Sequence, residues 1–285
     1  MNEAREDRRT VLVTGGARGI GLAIARAFAE AGWRVAVNDV DEAAARAAAA
    51  SLGVDHLAAA ADVADEAGVE AMVASVVAAF GRIDALVNNA GVADGARPTL
   101  EQTLETFRRT LAVHVEGAFL LSRAVAPHMA AAGGGAIVNL GSIAGLVGVP
   151  VRTAYSAAKA GVSMMTRVLA CEWASLGIRV NAVAPGYVET ELVGRLIADG
   201  KLDAASVRRR TPMGRMAQPH EIAAVVRFLA SPEASYVTGA VVPVDGGYTA
   251  FGGPFDASGE ACVYDAAARR RPDESAPNHQ SGQAR

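Results

Sequence analysis

The chain has 285 residues, long for one average domain but within reach of a single α/β unit, and its 51% apolar content can furnish a sizeable core. A charged fraction of 20% argues against disorder over most of the length, and a formal net charge of -3 gives no electrostatic case for nucleic acid or an anionic membrane surface as a partner. Cys171 and Cys262 lie far apart and outside any C-x-x-C spacing, so neither a disulfide framework nor a zinc site is expected, and no metal is implied.

Residues 1–9 form a charged extension without an apolar core segment, which is not the pattern of a secretory signal, and no apolar run reaches membrane-spanning length. The expected location is the cytoplasm. From residue 10 onward short β-branched runs alternate with longer helical stretches. Residues 10–14, 34–38, 84–88, 136–140, 179–183 and 240–244 read as strands, and an Ala-rich stretch at 56–60 reads as a weak one. The alternation predicts an α/β fold, a parallel sheet with right-handed crossovers and helices on both faces, over residues 10–250.

Directly after the first strand come Thr14, Gly15, Gly16, Ala17, Arg18, Gly19, Ile20 and Gly21, opening an amphipathic helix. Glycines in a strand-turn-helix context let a phosphate approach the backbone where unpaired N–H groups and the helix dipole favour an anion. The spacing, Gly-x-x-x-Gly-x-Gly, differs from the usual Gly-x-Gly-x-x-Gly. Asp39 ends the second strand about 20 residues later, where a carboxylate can bond the ribose hydroxyls of NAD and would meet a 2′-phosphate unfavourably. Arg18 pulls the other way, because a basic residue in this loop can pair with that phosphate. Losing a charge-assisted hydrogen bond of roughly 1.5–3 kcal/mol shifts preference by about one to two decades, so Asp39 sets the expectation as NAD.

Tyr155 and Lys159 stand one helical turn apart, with Ser142 upstream. A phenol near its reference pKa of about 10 is a poor base at neutral pH, and lowering it by three units takes roughly 4 kcal/mol. A lysine ammonium about 4 Å away supplies a contribution of that size at an effective dielectric of about 20, and the i, i+4 spacing puts both side chains on one helix face. The helix that follows, residues 154–176, is rich in Ala157, Ala158, Ala160, Gly161 and Ser163 and carries little polar surface. It is expected to be covered twice, by its own sheet and by a neighbouring subunit, making a homo-oligomer. Residues 251–285 turn Gly-, Pro- and Ser-rich and read as a tail, docked at its start and disordered towards its end.

Together Thr14 to Gly21, Asn88-Asn89-Ala90-Gly91, Ser142, Tyr155-x-x-x-Lys159 and Pro185-Gly186 resemble the short-chain dehydrogenase/reductase family in its ordinary-length form, over about residues 10–250. The resemblance implies a Rossmann-like single domain with a seven-stranded parallel sheet, assembled as a tetramer or dimer. It implies that Gly15, Arg18, Gly19, Ile20, Gly21 and Asp39 hold the nucleotide, that Asp62 and Val63 meet the adenine, and that Asn89, Ala90 and Gly91 line the cofactor channel. Tyr155, Lys159, Pro185, Gly186, Val188 and Thr190 would border the nicotinamide half, with the Thr190 hydroxyl on the carboxamide.

In catalysis the resemblance makes Tyr155 the proton acceptor in oxidation and the donor in reduction. Lys159 lowers its pKa and bonds the nicotinamide ribose, and Ser142 donates to the substrate oxygen. One position departs from the pattern. His114 stands where the family commonly has an Asn that holds a water relay behind the lysine; an imidazole can keep one such bond, and its titration near a reference value of about 6.5 would contribute an acid limb to activity.

Specificity is expected from loops, with Asp94, Arg152, Tyr187 and Glu189 as polar candidates for the substrate. Arg152 could pair with a substrate carboxylate, while the mixed set suits a polyol or sugar equally well. Arg208, Arg209 and Arg210 fall where the family has a mobile lid. The leading expectation is an NAD(H)-dependent oxidoreductase acting on a secondary alcohol or ketone of a small hydroxylated metabolite: polyol, sugar or hydroxy acid. An NADPH-dependent carbonyl or 3-oxoacyl reductase is the alternative among enzymes, and a nucleotide-sensing regulatory protein the alternative outside them.

Overall fold

The computed structural model describes residues 8–253 and 256–258. Its strands are β1 (Thr10–Val13), β2 (Arg34–Val37), β3 (Leu57–Ala58), β4 (Ala85–Asn88), β5 (Gly135–Leu140), β6 (Ile178–Pro185) and β7 (Val241–Val244). They form one parallel sheet in the order β3-β2-β1-β4-β5-β6-β7. The helices are α1 (Gly19–Glu30), α2 (Glu42–Leu52), α3 (Glu66–Phe80), α4 (Leu104–Leu111), α5 (Gly117–Ala131), α6 (Thr153–Trp173), α7 (Glu191–Ala198), α8 (Ala204–Arg210) and α9 (Pro219–Ala230).

Because successive strand side chains point to opposite faces, a strand covered on both sides must be apolar throughout. Val11 and Val13 of β1 pack with Val35, Val37, Val87 and Val138 beneath Ile24 and Phe28 of α1 and Ile222 and Val226 of α9. Leu12, between them, faces the other layer, with Leu86, Ile137 and Val180 under α3, α5 and the second half of α6. The helix starts are set locally: Asp41 and Asp65 accept from Ala44 N (3.0 Å) and Gly68 N (3.2 Å) at α2 and α3.

The six clear strands of the sequence reading all occur, and the Ala-rich seventh shrinks to two residues at the sheet edge. Its place beside β2 is completed by a side chain, since His56 Nδ1 accepts the Val35 N–H at 3.1 Å. Strand order reverses between β1 and β4, so the crevice for a ligand opens beyond their C-terminal ends.

Both ends of the core unit are tied down. Arg8 pairs with Asp55 at 2.9 Å and the Arg9 guanidinium lies 5.6 Å from the Trp33 ring centre, so the last residues of the charged extension join the domain. Arg210 donates to the carbonyls of Tyr248 (3.1 Å) and Phe251 (2.9 Å), and Ala257 N donates to Arg209 O, which docks the start of the tail on α8. The disorder expected of the tail's end falls outside the described residues.

Candidate active site

The mouth of the crevice is built by Thr14. Its hydroxyl donates to Val87 O (3.3 Å) and accepts from Asn89 N and Ala90 N (both 3.0 Å), clamping the loop after β4 to the end of β1. Asn89 Nδ2 donates to Thr14 O (2.8 Å) and Gly15 O (3.0 Å), so the glycine turn is held by a side chain from the facing strand. Gly15 and Gly19 have φ near +57° and +56°, and a Cβ on Gly21 would sit 2.1 Å from Gly15 O. The turn therefore closes only with glycine at these places. Arg18 precedes α1 without a side-chain cap on its first turn, leaving those N–H groups turned outward for an anion. Ile20 anchors the same turn against the core.

Asp39 lies at the end of β2, nearly buried, with Oδ1 accepting Asp41 N at 3.2 Å. Arg18 leans towards Asp41, 3.8 Å away across solvent. Two carboxylates thus border the end of β2, and the loop cation already has one of them as a neighbour. Asp62 is exposed and shapes a turn by accepting Ala64 N (2.9 Å), while Val63 is buried against Gly117, whose Cβ would meet it at 2.8 Å. Across the crevice, Thr190 caps α7 by accepting Val193 N (3.3 Å), and its methyl faces Gly19. Pro185 ends β6, Gly186 passes close to Asp245, and buried Val188 bridges to Ala217. The glycine cradle, uncapped helix end and flanking carboxylates fit a dinucleotide.

Ser142, Tyr155 and Lys159 converge beyond the end of β5. Ser142 follows the strand and caps a short 3₁₀ turn, Ile143–Gly145, by accepting Ala144 N at 3.1 Å. Gly145 is pressed against α6, since a Cβ there would lie 2.7 Å from the Lys159 backbone. Lys159 is buried and donates to Leu140 O at 2.6 Å, with Nζ 5.6 Å from the Tyr155 ring centre. Burial lowers the Lys159 pKa to about 7.

Tyr155 keeps part of its surface open, yet enclosure of the rest raises its phenol above the usual value; hydrogen bonding with the Ser142 hydroxyl and the charge of Arg152 pull it back down. The net shift is upward, against the lowering expected from Lys159, which is not among the influences on the phenol. The ammonium is turned to a backbone carbonyl instead.

His114 lies on a π-helical turn, Ala112–Glu116, between α4 and α5, a bulge of the kind that aims side chains at functional sites. Its ring meets Tyr155 edge to face, 5.3 Å between centres. Nε2 is 3.1 Å from Val92 N and 3.0 Å from Val92 O, which pins the loop after β4, while buried Nδ1 has no partner. A Cβ on Gly91 would come within 2.4 Å of this ring, so the glycine is required by the histidine.

The acid-side titration expected near 6.5 moves to about 3, because burial and the nearby Lys159 oppose a second cation. A small cavity lined by Thr14, Asn88, His114, Gly117, Leu140 and Lys159 has a water-accessible volume of about 10 Å³, close to the need of one water. Asn88 Oδ1 is a further buried acceptor without a partner, although its Nδ2 bonds Asn139 (2.8 Å), which in turn donates to Thr166 (2.9 Å).

On the substrate side, Asp94 is buried beside Arg152, and the Arg152 guanidinium lies 4.5 Å over the Tyr155 ring. Tyr187 is half-buried with its ring 5.9 Å from Tyr248, and burial raises its phenol. Glu189 is drawn off to Gln218 (2.6 Å). Two of the three arginines of the triplet are engaged within the fold: Arg209 contacts Ser206 (2.7 Å) and Asp203, and Arg210 holds the tail. Thr14, Gly145 and the Asn88, Asn139 and Thr166 chain are the structural contributors that residue reading left unassigned.

A family profile described as enoyl-(acyl carrier protein) reductase matches residues 15–249. An uncharacterized short-chain type dehydrogenase/reductase of Sinorhizobium fredii is 46% identical over 246 residues, 86% of this chain but 44% of that protein. The chain belongs to the short-chain dehydrogenase/reductase family. Two relatives aligned over nearly their whole length bear dehydrogenase names. The cis-4-hydroxycyclohexanecarboxylate dehydrogenase of Sinomonas cyclohexanicum is 47% identical, covering 88% of this chain and 100% of its own. The D-threitol dehydrogenase of Mycolicibacterium smegmatis is 48% identical, covering 86% and 94%. This short-chain dehydrogenase/reductase is accordingly an oxidoreductase acting on CH–OH groups with a nicotinamide cofactor. No helix among its described residues is long and apolar enough to cross a membrane.

Proposed function

We propose that the protein is an NAD(H)-dependent dehydrogenase for the secondary alcohol of a small hydroxylated metabolite, a polyol, sugar or hydroxy acid. The observation that carries this reading is the gathering of Ser142, at the end of β5, with Tyr155 and buried Lys159, whose Nζ lies 5.6 Å from the Tyr155 ring centre, beside the glycine-lined crevice. The names of two relatives carry a polyol, D-threitol, and a hydroxy acid, cis-4-hydroxycyclohexanecarboxylate, both of them secondary alcohols.

When bound, the nicotinamide supplies the hydride acceptor and, in its oxidised form, a positive charge that favours the phenolate. In oxidation Tyr155 takes the hydroxyl proton and Ser142 steadies the substrate oxygen as charge shifts, and Lys159 would hold the nicotinamide ribose. Reduction returns the proton from Tyr155. Ser142 is fixed for this task because Ala144 N occupies one of its lone pairs. The preference for NAD rests on Asp39 and Asp41 at the ribose end, where a 2′-phosphate would face two carboxylates with Arg18 already leaning on one.

Initial rates with uncharged and acidic secondary alcohols at matched NAD and NADP concentrations test both parts. The expected result is turnover with NAD favoured by about tenfold or more in kcat/KM, the scale of a lost charge-assisted bond. Tyr155→Phe should still bind cofactor and lose activity by at least about a hundredfold. Retained turnover in that variant, or a clear NADP preference, would overturn the respective part.

A further inference from the structure

The loop after β4 and the start of α6 are joined by a charge pair at the edge of the site. Asp94 has 1% of its side chain exposed. Its Oδ2 accepts the Tyr155 N–H at 3.3 Å, in the first turn of α6, where backbone donors lack partners within the helix. Its Oδ1 lies 3.1 Å from Arg152 Nε. Neither of these two atoms makes an aligned hydrogen bond, so the contact is an ion pair held by charge.

Arg152 is poised over the phenol ring and is felt electrostatically at Tyr155, Tyr187 and His114, with 26% of its side chain open. Val151 just before it has φ +62°, a left-handed conformation that a β-branched residue adopts only when its surroundings enforce it. The cation is therefore fixed in the pocket wall, with its counter-charge behind it.

We infer that Asp94 makes the pocket select uncharged polyhydroxylated alcohols over hydroxy acids, by holding Arg152 as one half of a neutral pair beside Tyr155. The inference rests on the dehydrogenase reading above and narrows its substrate class. A hydroxyl group needs only an N–H from the outer edge of the guanidinium. A substrate carboxylate would set two acids on one guanidinium, one of them buried and unable to withdraw, and would leave a net negative charge in a partly desolvated pocket. Asp94 acts on the substrate through Arg152 and through Tyr155, whose N–H it accepts, so it is a positioning residue; discrimination by charge is the signature of the Arg152 route, since a change at Tyr155 would alter turnover of both members of a pair alike.

The test uses matched pairs of nearly equal shape with NAD: threitol and threonate, galactitol and galactonate, and the carboxamide and carboxylate of cis-4-hydroxycyclohexane. The uncharged member of each accepted pair should win by about tenfold to a hundredfold in kcat/KM, mostly through KM. Asp94→Asn should narrow that ratio by about tenfold by lowering KM for the acid, since Arg152 then carries an uncompensated charge. Asp94→Asn combined with Arg152→Gln restores neutrality and should restore the discrimination, which separates charge from shape.

Equal or better use of the acids by the unaltered enzyme, or an unchanged ratio in Asp94→Asn, would overturn the inference while leaving the dehydrogenase reading intact. If no member of any pair, nor any simple secondary alcohol, is oxidised by folded, NAD-binding protein, both fall. The comparison within the unaltered enzyme decides the matter even if Asp94→Asn fails to fold.

Discussion

Lys159 is held at a cost. A cation held away from water loses solvation that one carbonyl contact only partly returns, and its pKa falls to about 7 from an ordinary 10.5. The unfolded chain holds that proton up to about pH 10.5 while the folded one gives it up near 7, so the penalty is full below pH 7 and fades as pH rises towards 10.5. Lys159→Met should abolish activity and yet raise stability at pH 6, by about 1–2 kcal/mol, with a smaller gain at pH 10. Thermal unfolding at the two pH values measures this, and an equal or reversed gain would contradict the assignment of the cost.

His114 makes the complementary case, a base kept neutral. With its pKa near 3 against 6.5 unfolded, it lends stability that is whole above pH 6.5 and drains as pH falls towards 3. It gives activity no acid limb between pH 5 and 8. His114→Asn should therefore leave the acid edge of the pH–rate profile in place, and a shift by a full unit would show that the ring titrates during turnover. That Tyr155, Lys159 and Ser142 come together was legible from their spacing and motif, whereas the titration of His114 was not. The sequence names an imidazole but not the Val92 backbone and Tyr155 ring that enclose it.

At the scale of elements, legibility followed the strength of local signals. β1 and β4 are runs of apolar residues bounded by polar ones and were readable almost to the residue. The 3₁₀ turn after β5 carries no such signal, and the demand for glycine at Gly145 exists only because α6 passes 2.7 Å from where a Cβ would be. The π-helical turn was equally hidden, since one extra residue in a helix leaves the local composition unchanged.

The expectation that α6 needs a second cover has a physical counterpart in Met164 and Val168, exposed at 56% and 46%, and in Phe119 of α5 at 43%. Apolar groups repeating at this spacing on adjacent helices support association of copies through this face. Met164→Glu with Val168→Glu should convert an oligomer into smaller species in light scattering coupled to size exclusion, and an unaltered mass would place the interface elsewhere.

For the molecule as a whole, alternation of strand and helix predicted a parallel sheet, but the order of strands was not in the alternation. The resemblance supplied the number of strands and the structure their order, and the reversal between β1 and β4 is what gathers Gly15, Asn89, Ser142 and Thr190 from separate stretches of chain around one crevice. The pairing of Asp94 with Arg152 lay beyond reach for the same reason, since 58 positions in the chain collapse to 3.1 Å only after folding. The sequence offered both as separate polar candidates, and their mutual neutralisation is a property of the fold.

Thr14 joins the ends of β1 and β4 through one hydroxyl that serves three backbone partners. The two lips of the slot are consequently set at a constant separation before any nucleotide arrives. Little ordering entropy remains to be lost there on association. The diphosphate region can thus dock as into a rigid receptacle.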